Sequence, residues 1–445
     1  MKKRIAFISE HASPLAILGG VDSGGQNVYV AEVAKKLIQK GYEIDIFTRK
    51  ENIETEQIVN WEKGIRVIHI EAGPQKVIPK EQILQYMDEF SRNMLFFIKT
   101  NKIEYSIVHA NFFMSALVAS NLKKHLGIPY IVTFHALGLV RKIHQKSADT
   151  FPAERIDIEK FIVEDADKII AECPQDREDM ISLYNAKPEK VCIIPCGFNP
   201  KEFYPIDRKK ARKFLGLPLD EKIILQLGRM VPRKGVDNVI RAVAKLKDSN
   251  QNFKLVVVGG EFSPPHIDQC EEIVRLKTIA ATCGIEDKVL FTGRKDRSVL
   301  KYYYAASDVF ISTPWYEPFG ITPVESMACG IPVIGSNVGG IKYSIAEGQT
   351  GFLVHPKDPD ELAYKINFLL SEEKLYQMMQ KNALKRVNKM FTWDIVAEKI
   401  DKQYESIALA AHQKQVYKES ITTLEKLAVK SLEQFFRPAL NTGIN

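Results

Sequence analysis

The chain has 445 residues, which is too long for one compact core and predicts two domains of about 200 residues each. Hydrophobic residues make up 45% of it and charged residues 26%, as in an ordinary globular protein. The net charge of +7 favours small anionic substrates. No basic block is interleaved with aromatic residues, so we exclude a nucleic-acid partner.

The six cysteines form no Cys-x-x-Cys pair and have no histidine at metal-ligand spacing. We interpret most of them as small core side chains of a protein in a reducing, cytoplasmic compartment. The apolar run of residues 5–8 is too short for a signal peptide, and no stretch reaches the ~20 apolar residues of a membrane span. Peripheral contact of this basic chain with an anionic membrane surface stays open.

Short apolar runs alternate with amphipathic helical stretches from the start of the chain, which is typical of parallel, doubly wound α/β sheets. After a first strand near the N-terminus, we predict strands at 43–48, 65–70, 106–109, 130–134, 167–171 and 191–194. A second series is predicted at 222–227, 254–259, 288–291, 309–312, 331–335 and 351–354.

Two stretches of the first half are candidate ligand-binding loops. The glycine-rich loop 19–27 lacks the Gly-x-Gly-x-x-Gly spacing of dinucleotide binders and has no Walker lysine. We expect it to bring backbone close to a pyrophosphate or a sugar, the alternative being a flexible surface loop. His135 lies just past a buried strand, where α/β active sites lie, although a core histidine is the alternative.

The loop after strand 222–227 carries Arg229 and Lys234. Because both side chains follow the carboxyl end of one strand, they can reach the same anion. A guanidinium and an ammonium together can neutralise a leaving diphosphate. Ordinary surface charge is the alternative interpretation.

The stretch from Trp315 to Gly340 combines a proline-rich loop with the start of a helix. Glu317 lies on the loop, Thr322 is the predicted N-cap, Pro323 the first helical residue, and Glu325 an acid of the first turn. A helix N-terminus at the end of a parallel strand favours an anion, and two nearby carboxylates suit a ligand that also carries hydroxyls. Alternatively, Glu325 only complements the helix dipole and Glu317 is a solvated acid.

Glu317 and Glu325, with 318–320 and 326–333 around them, resemble the Glu-x7-Glu motif of retaining, nucleotide-sugar-dependent glycosyltransferases. The resemblance is to the glycosyltransferase group 1 family, which includes sucrose-phosphate synthases and the glycosyltransferase of mycothiol synthesis. It implies the GT-B fold, in which two Rossmann-like, doubly wound α/β domains face each other across a cleft. We expect an acceptor-side domain at 1–205, a nucleotide-sugar domain at 206–390, and C-terminal helices at 391–445, the first part crossing back to the first domain.

The resemblance also implies roles for residues at matching positions. Lys234 and Arg229 would neutralise the diphosphate, Glu317 and His135 would orient the donor sugar, and Glu325 would hold the ribose. The predicted catalytic residues are His135, Arg229, Lys234 and Glu317; the donor-binding residues Gly24, Gly25, Arg294, Phe319, Gly320, Ile321, Thr322 and Glu325; and the acceptor-binding residues Gln26, Asn27, Lys80 and Arg155.

Two positions depart from relatives that bind a phosphorylated acceptor. Phe112 stands where they have tyrosine, and Ala136 where they have threonine or serine. Two hydroxyl groups that could bind a phosphate are therefore missing, which leaves open whether the acceptor is phosphorylated.

The predicted function is a retaining transfer of a hexosyl group from a nucleoside-diphosphate sugar, UDP being favoured, to a hydroxyl of a sugar, sugar phosphate, cyclitol or glycan. No Asp-x-Asp motif stands at a strand end, so we expect no metal and no cofactor besides the donor. The alternatives are a non-catalytic sugar-nucleotide-binding protein and a GT-B epimerase. The missing Gly-x-Gly-x-x-Gly argues against a nicotinamide-dependent oxidoreductase.

The last ~35 residues carry apolar side chains at helical spacing, which predicts one more amphipathic helix. The positions are Ile421, Leu424, Ala428, Leu432 and Phe435. We expect this helix to dock on the core, with contact to a partner or a membrane as the alternative.

Overall fold

The computed structural model describes residues 3–16, 24–246 and 252–436. Within these residues the chain forms two α/β units, each built on a mainly parallel sheet, as the alternating sequence pattern predicts. The strands of the first sheet are β1 (Arg4–Ile8), β2 (Glu43–Arg49), β3 (Ile58–Glu62), β4 (Ile65–Ile70), β5 (Ile107–Asn111), β6 (Tyr130–Thr133), β7 (Lys168–Ala171) and β8 (Val191–Ile193).

The second sheet begins after the chain leaves β8. Its strands are β9 (Lys222–Leu227), β10 (Phe253–Val258), β11 (Val289–Phe291), β12 (Val309–Ser312), β13 (Val333–Ser336) and β14 (Gly351–Val354). The strand order is β3-β4-β2-β1-β5-β6-β7-β8 in the first sheet and β11-β10-β9-β12-β13-β14 in the second. In both sheets the order reverses beside the first strand, which creates the crevice where α/β proteins bind ligands.

Helices cover both faces of each sheet. Those of the first half are α1 (Gly25–Gln39), α2 (Met87–Thr100), α3 (Phe113–Leu126), α4 (Gly138–Gln145), α5 (Arg155–Asp165) and α6 (Pro174–Tyr184). Those of the second half are α7 (Arg208–Leu215), α8 (Val236–Ala244), α9 (Glu271–Thr282), α10 (Arg297–Ala306), α11 (Ile321–Ala328), α12 (Ile341–Ser344), α13 (Pro359–Ser371), α14 (Glu373–Met390) and α15 (Trp393–Phe436).

The predicted strands agree with the observed ones to within two residues at either end, because strands buried on both faces are continuous apolar runs. The strand that the sequence did not reveal is β3, an edge strand that pairs antiparallel with β4 and has a register irregularity between Asn60 and Glu62. Its residues are half-buried or exposed, so it lacks the apolar run that marks the other strands.

The start of α15 packs on the first domain, as predicted for a crossing-back helix. The buried Trp393 ring lies edge-on to Tyr29 of α1, with ring centroids 5.9 Å apart. The Tyr404 hydroxyl lies 2.7 Å from Nδ1 of His109 in β5. Where the chain passes between the domains, the Phe198 N–H donates to the Phe391 carbonyl at 2.8 Å, so the outgoing and returning segments run side by side.

The last part of the chain differs from its prediction. It is not a separate helix, because α15 continues without a break from Trp393 to Phe436. Leu424, Leu427 and Leu432 are exposed by 64%, 56% and 58%, and Ala428 is exposed as well, so docking on the core is wrong for this segment. The side chains of Ile421 and Phe435 lie outside the described residues.

Candidate active site

The carboxyl ends of both sheets open onto one cleft of about 300 Å³. The wall formed by the first domain consists of residues that follow β1, β4, β5, β6, β7 and β8, together with the start of α1. The opposite wall consists of residues that follow β9, β10, β11 and β12. The predicted residues that line the cleft are Gly24, Gly25, Gln26, Asn27, Lys80, His135, Arg229, Lys234, Arg294, Glu317, Phe319, Gly320, Ile321, Thr322 and Glu325.

An ion pair between Lys234 and Glu317 lies at the centre of the second wall. Lys234 is on the turn after β9, and Glu317 is on the loop after β12. Gly235 allows these loops to meet, since its φ is +68° and a Cβ there would lie 2.1 Å from the Thr313 carbonyl oxygen. The Arg233 guanidinium lies 3.8 Å from the same Glu317 oxygen.

The electrostatic environment keeps this pair ionised at neutral pH. Burial lowers the pKa of Lys234 to about 8, although the Glu317 carboxylate opposes the shift. Burial alone would raise the pKa of Glu317, but the attraction of Lys234 and Arg233 outweighs burial and holds that pKa below its usual value. Arg229 adds to the same effect. One carboxylate therefore stands among several cations, which leaves this wall with a surplus of positive charge.

The helix that follows this loop begins two residues earlier than predicted. α11 starts at Ile321, and its N-cap is Gly320 in the left-handed region with φ +86°, so Thr322 is not the cap. Glycine fits this position because it has no Cβ to clash in that conformation. As a result Glu325 is the fifth residue of the helix and not an acid of its first turn, although Gly320, Ile321 and Thr322 still face the cleft.

Glu325 is buried, with 2% of its surface exposed, and has two partners. Its Oε1 lies 2.9 Å from Nη1 of Arg297, and its Oε2 accepts a hydrogen bond from the Tyr304 hydroxyl at 3.0 Å. Burial opposes the charge of Arg297, but the carboxylates of Glu325 and Glu202 outweigh it and raise the arginine's pKa. Arg297 was not among the predicted site residues, since an arginine that opens an ordinary amphipathic helix carries no distinguishing signal.

His135 lies on the opposite wall, with both ring nitrogens near polar partners. Nδ1 is 2.9 Å from Glu172 Oε1, and Nε2 is 3.1 Å from Asn111 Oδ1. The residue adopts a φ of +57°, which is uncommon for a side chain of this size and marks a constrained turn. Glu172 Oε1 also accepts a hydrogen bond from the Cys196 thiol, with a distance of 3.2 Å from Sγ. Glu172 was not among the predicted site residues, although an acid directly after β7 was a usable signal.

The start of α1 brings backbone to the cleft, as predicted for Gly24 and Gly25. Asn27 holds this turn together, because its Oδ1 accepts from the Gly24 N–H and its Nδ2 donates to the Ser13 carbonyl, each at 2.9 Å. Gln26 donates to Ser9 Oγ and to the Asn111 carbonyl at 3.2 Å. The first part of the glycine-rich loop, residues 19–23, lies outside the described residues.

The predicted acceptor-binding residues Lys80 and Arg155 lie at different depths. Lys80 lines the cleft. Arg155 is only 1% exposed and lies behind the wall, where it donates to Glu159 at 2.7 Å and to the Ala136 carbonyl at 2.6 Å. The structure therefore does not bring Arg155 to the cleft surface.

A second polar group that the sequence analysis missed follows β1. His11 lines the cleft, and its Nδ1 lies 2.7 Å from Oε1 of the buried Glu10. The other carboxylate oxygen of Glu10 accepts a hydrogen bond from the Ser115 hydroxyl. A histidine just after the first strand has the same positional signal as His135, so it could have been found.

Aromatic contacts join the two walls at one side of the cleft. The rings of His144 in α4 and Tyr316 are stacked, with centroids 5.2 Å apart and an interplanar angle of 20°. Gln145 donates a hydrogen bond to the Tyr316 hydroxyl. These contacts hold the two domains together beside Glu317.

The described residues contain neither a candidate metal site nor a candidate membrane span. Among them, no three side chains of the histidine, cysteine, aspartate and glutamate types lie close enough to hold a metal ion. No helix in this part of the chain is both long and apolar enough to cross a membrane. The expectation that catalysis needs no metal stays a prediction.

Comparison with known families gives two matches that together span most of the chain. The model described as "Glycosyl transferases group 1" matches residues 207–386, and that described as "Glycosyltransferase Family 4" matches residues 23–202.

Curated relatives match over nearly their whole length. A D-inositol 3-phosphate glycosyltransferase of Corynebacterium diphtheriae is 31% identical over 92% of this chain and 96% of its own length. A mannosylfructose-phosphate synthase of Agrobacterium fabrum is 32% identical over 89% of this chain and 90% of its own.

Solved structures show the same arrangement of two domains. A sucrose-phosphate synthase of Thermosynechococcus elongatus is 32% identical and superposes with a TM-score of 0.84, covering 92% of this chain and 100% of its own. The Anabaena protein HepE, 20% identical, superposes with a TM-score of 0.71 over 91% of this chain and 100% of its own. The two domains therefore form the GT-B fold, and the chain belongs to the glycosyltransferase group 1 family.

Proposed function

We propose that this protein is a retaining glycosyltransferase that moves a hexosyl group from a nucleoside-diphosphate sugar to a hydroxyl group of a sugar, sugar phosphate, cyclitol or glycan. The observation that carries the proposal is the cluster of Arg229, Arg233 and Lys234 around Glu317 at the start of α11. Cations and helix N–H groups suit a diphosphate, and a carboxylate beside them suits sugar hydroxyls.

UDP is the favoured donor nucleotide. The Anabaena protein HepE was solved in complex with UDP and glucose, and with UDP-glucose. A starch synthase IV from Arabidopsis thaliana with the same fold was solved with ADP, so ADP-sugars are the competing donors. In this chain the nucleotide base would lie near Arg294, whose backbone N–H donates a hydrogen bond to the Phe262 carbonyl at 2.9 Å.

In the proposed reaction the acceptor hydroxyl attacks the anomeric carbon on the face from which the diphosphate leaves. The new bond joins the acceptor oxygen to the anomeric carbon, and the bond between that carbon and the β-phosphate oxygen breaks. The departing phosphate oxygen takes the hydroxyl proton. The reaction therefore needs no separate protein base to take the proton.

The residues of the cleft have distinct roles in this proposal. Lys234 and Arg229 neutralise the charge that develops on the diphosphate, and they are positioned before the reaction begins. Glu317 accepts hydrogen bonds from donor-sugar hydroxyls, while Glu325, fixed by Arg297 and Tyr304, accepts those of the ribose. His135, oriented by Glu172, contacts the sugar from the opposite domain.

Ligand binding provides the first test. UDP, ADP, GDP and the matching glucose nucleotides are added to the protein without metal and with EDTA, and melting temperatures are compared. A nucleotide that binds the native state raises the melting temperature, and we expect the largest rise with UDP or UDP-glucose. Absence of a shift with every nucleotide would overturn the proposal. A shift that appears only after Mg²⁺ is restored would overturn metal independence.

Turnover and stereochemistry provide the second test. Release of the nucleoside diphosphate in the presence of acceptors distinguishes a transferase from a protein that only binds sugar nucleotides. The configuration of the product's anomeric carbon, read from its proton NMR coupling, should match that of the donor. An inverted product would contradict the retaining assignment, and an epimerised donor would favour an epimerase.

A further inference from the structure

The two walls of the cleft differ strongly in charge. Among the described residues, the wall of the second domain presents the carboxylates Glu317 and Glu325 and a larger set of cations. That set is Arg229, Arg233, Lys234, Arg294, Lys295 and Arg297. The wall of the first domain presents the cations Lys80 and Arg141. Phosphate groups of the donor therefore have their partners on the second wall.

Both cations of the first wall are already paired with carboxylates. Lys80 Nζ lies 2.8 Å from Glu81 Oε1, and the Arg141 guanidinium contacts Asp149 Oδ1 at 2.9 and 3.2 Å. The side chains of these pairs are only 16% and 20%, and 13% and 11%, exposed. A phosphate that approached either cation would also meet its carboxylate, and like charge disfavours the ionised phosphate there.

The third cation of this region, Arg155, is buried in the protein interior and paired there. Glu159 and the Ala136 carbonyl accept its hydrogen bonds, and the Phe151 ring centroid lies 4.4 Å from the guanidinium. To bind a phosphate, Arg155 would have to leave this buried pair, and the Glu159 carboxylate would keep only neutral donors, the Gly138 N–H and the Tyr184 hydroxyl. Separating a buried pair is costly, because one charge is left uncompensated.

The surface that remains on this wall suits hydroxyl groups and a sugar ring. Phe112 and Ala136 present a ring and a methyl group, and His11 lies edge-on to Phe112 with centroids 5.0 Å apart. Glu172 adds a further carboxylate to the lining. Carboxylate and imidazole groups bind hydroxyls, whereas a dianion here would meet only cations that are already paired with carboxylates.

From this asymmetry we infer that the acceptor is an uncharged polyhydroxy compound: a sugar, a cyclitol or the end of a glycan that carries no phosphate. The inference rests on the proposed transferase function and narrows the acceptor classes left open there. It also separates this chain from the relatives whose names contain a phosphorylated acceptor or product.

The test uses matched pairs of acceptors with the donor identified by thermal shift. The pairs are myo-inositol and inositol 3-phosphate, fructose and fructose 6-phosphate, and glucose and glucose 6-phosphate, with cellobiose and maltose as neutral glycan ends. We expect the best neutral acceptor to exceed every phosphorylated one by at least tenfold in kcat/KM. A phosphorylated acceptor that equals or exceeds the neutral ones overturns the inference, and so does failure of all the neutral compounds.

A double variant, Glu81→Gln with Asp149→Asn, tests the cause. Removing the two carboxylates leaves Lys80 and Arg141 able to bind phosphate, so inhibition of transfer by fructose 6-phosphate should strengthen by about tenfold while the affinity for UDP stays the same. Asp360→Asn is the matched control, because Asp360 pairs with Lys245 at 2.8 Å on the surface outside the cleft. Equal inhibition of the double variant, the control and the wild type would contradict the role of the carboxylates.

The two proposals fail in different ways. If no nucleotide binds and no donor is hydrolysed, the transferase function itself fails. If the donor binds and is slowly hydrolysed by water, but a phosphorylated acceptor is preferred, the function stands and only the inference about the acceptor fails.

Discussion

The reactivity of the cleft depends on how single side chains share charge. Lys234 is buried enough for its pKa to fall to about 8, yet it remains protonated at neutral pH beside Glu317. An arriving diphosphate supplies Lys234 with a second negative partner, which favours the protonated form of the side chain. The same side chain loses its charge at a pH only slightly above neutral.

The pH dependence of donor capture follows from that pKa. Protonated Lys234 is the form that binds diphosphate, and it is present below the pKa and lost above it. We therefore expect kcat/KM for the donor to fall above pH about 8, approaching a tenfold loss per pH unit. The measurement is a pH–rate profile of the free enzyme. Lys234→Arg, whose guanidinium stays charged throughout, should move this limb upward; an unchanged limb would contradict the assignment.

Truncating either partner of the central ion pair should reduce turnover without unfolding the protein. We expect Lys234→Ala to lower kcat by about 10²- to 10³-fold, because one preorganised charge at the diphosphate is lost. Glu317→Ala should lower it similarly through loss of donor-sugar orientation. Steady-state rates give the effect, and a retained melting transition shows that the variant is folded. A variant with near wild-type rate would remove that residue from the mechanism.

At the scale of single residues, the sequence predicts charge and position better than it predicts pairing. Arg229, Lys234 and Glu317 follow strand ends, so their place in the cleft could be foreseen from the order of strands alone. The pairing of Glu325 with Arg297, and the burial of the i,i+4 pair Arg155–Glu159 behind the wall, depend on how helices pack. No local pattern specifies that packing, which is why Arg297 was missed and Arg155 was placed too near the surface.

The central element is the unit formed by the loop 313–320, α11 and the turn at Gly339 and Gly340. The Gly340 N–H donates to the Glu317 carbonyl at 3.1 Å, and a Cβ at Gly340 would lie 2.2 Å from Phe319 Cα. The turn after β13 thus supports the loop after β12 by direct backbone contact. The position of Glu317 therefore depends on the close backbone approach that Gly340 allows.

A methyl group at Gly340 should therefore displace the loop that carries Glu317. We expect Gly340→Ala to cost about 1–3 kcal/mol of unfolding free energy and to weaken donor binding markedly, because the backbone of Phe319 must move. Urea unfolding and nucleotide titration measure the two effects. Gly348→Ala is the control: its φ of +71° is strained for alanine, but nothing lies within 4 Å of the added methyl. It should lose stability without losing donor affinity.

Elements could be predicted where their sequence pattern is strong. The central parallel strands were found because they are buried on both faces, whereas β3 is an edge strand with mixed exposure and was not. The first turn of α11 was misplaced because Thr322 and Pro323 resemble a common helix start. The observed cap is a glycine in the left-handed region, a conformation that the tightly packed loop requires at this position.

At the scale of the whole molecule, α15 joins both domains and then leaves them. Its first part is buried against α1 and β5 through Trp393 and Tyr404, while its later described side chains are exposed. Continuous apolar spacing in the sequence does not reveal this change, because an amphipathic helix looks the same whether or not a surface covers it.

Removing the exposed part of α15 should leave the enzyme intact. We expect a chain ending at Thr423 to keep its donor affinity and to melt within about 2 °C of the full chain, since surface changes typically cost under 0.5 kcal/mol. A large loss of stability would show that Leu424, Leu427 and Leu432 are covered in solution. Tyr404→Phe is the contrasting change: loss of its contact with His109 should cost about 1 kcal/mol.

The return of α15 has a consequence for the order in which the protein is made. β1 to β8 leave the ribosome first, but the contacts of Tyr29 with Trp393 and of His109 with Tyr404 form only when α15 has been synthesised. Domains usually fold as units during synthesis, with the N-terminal one first. Here the domain that is begun first is completed last, because the side chains that Trp393 and Tyr404 cover stay without this cover until the second domain has been synthesised.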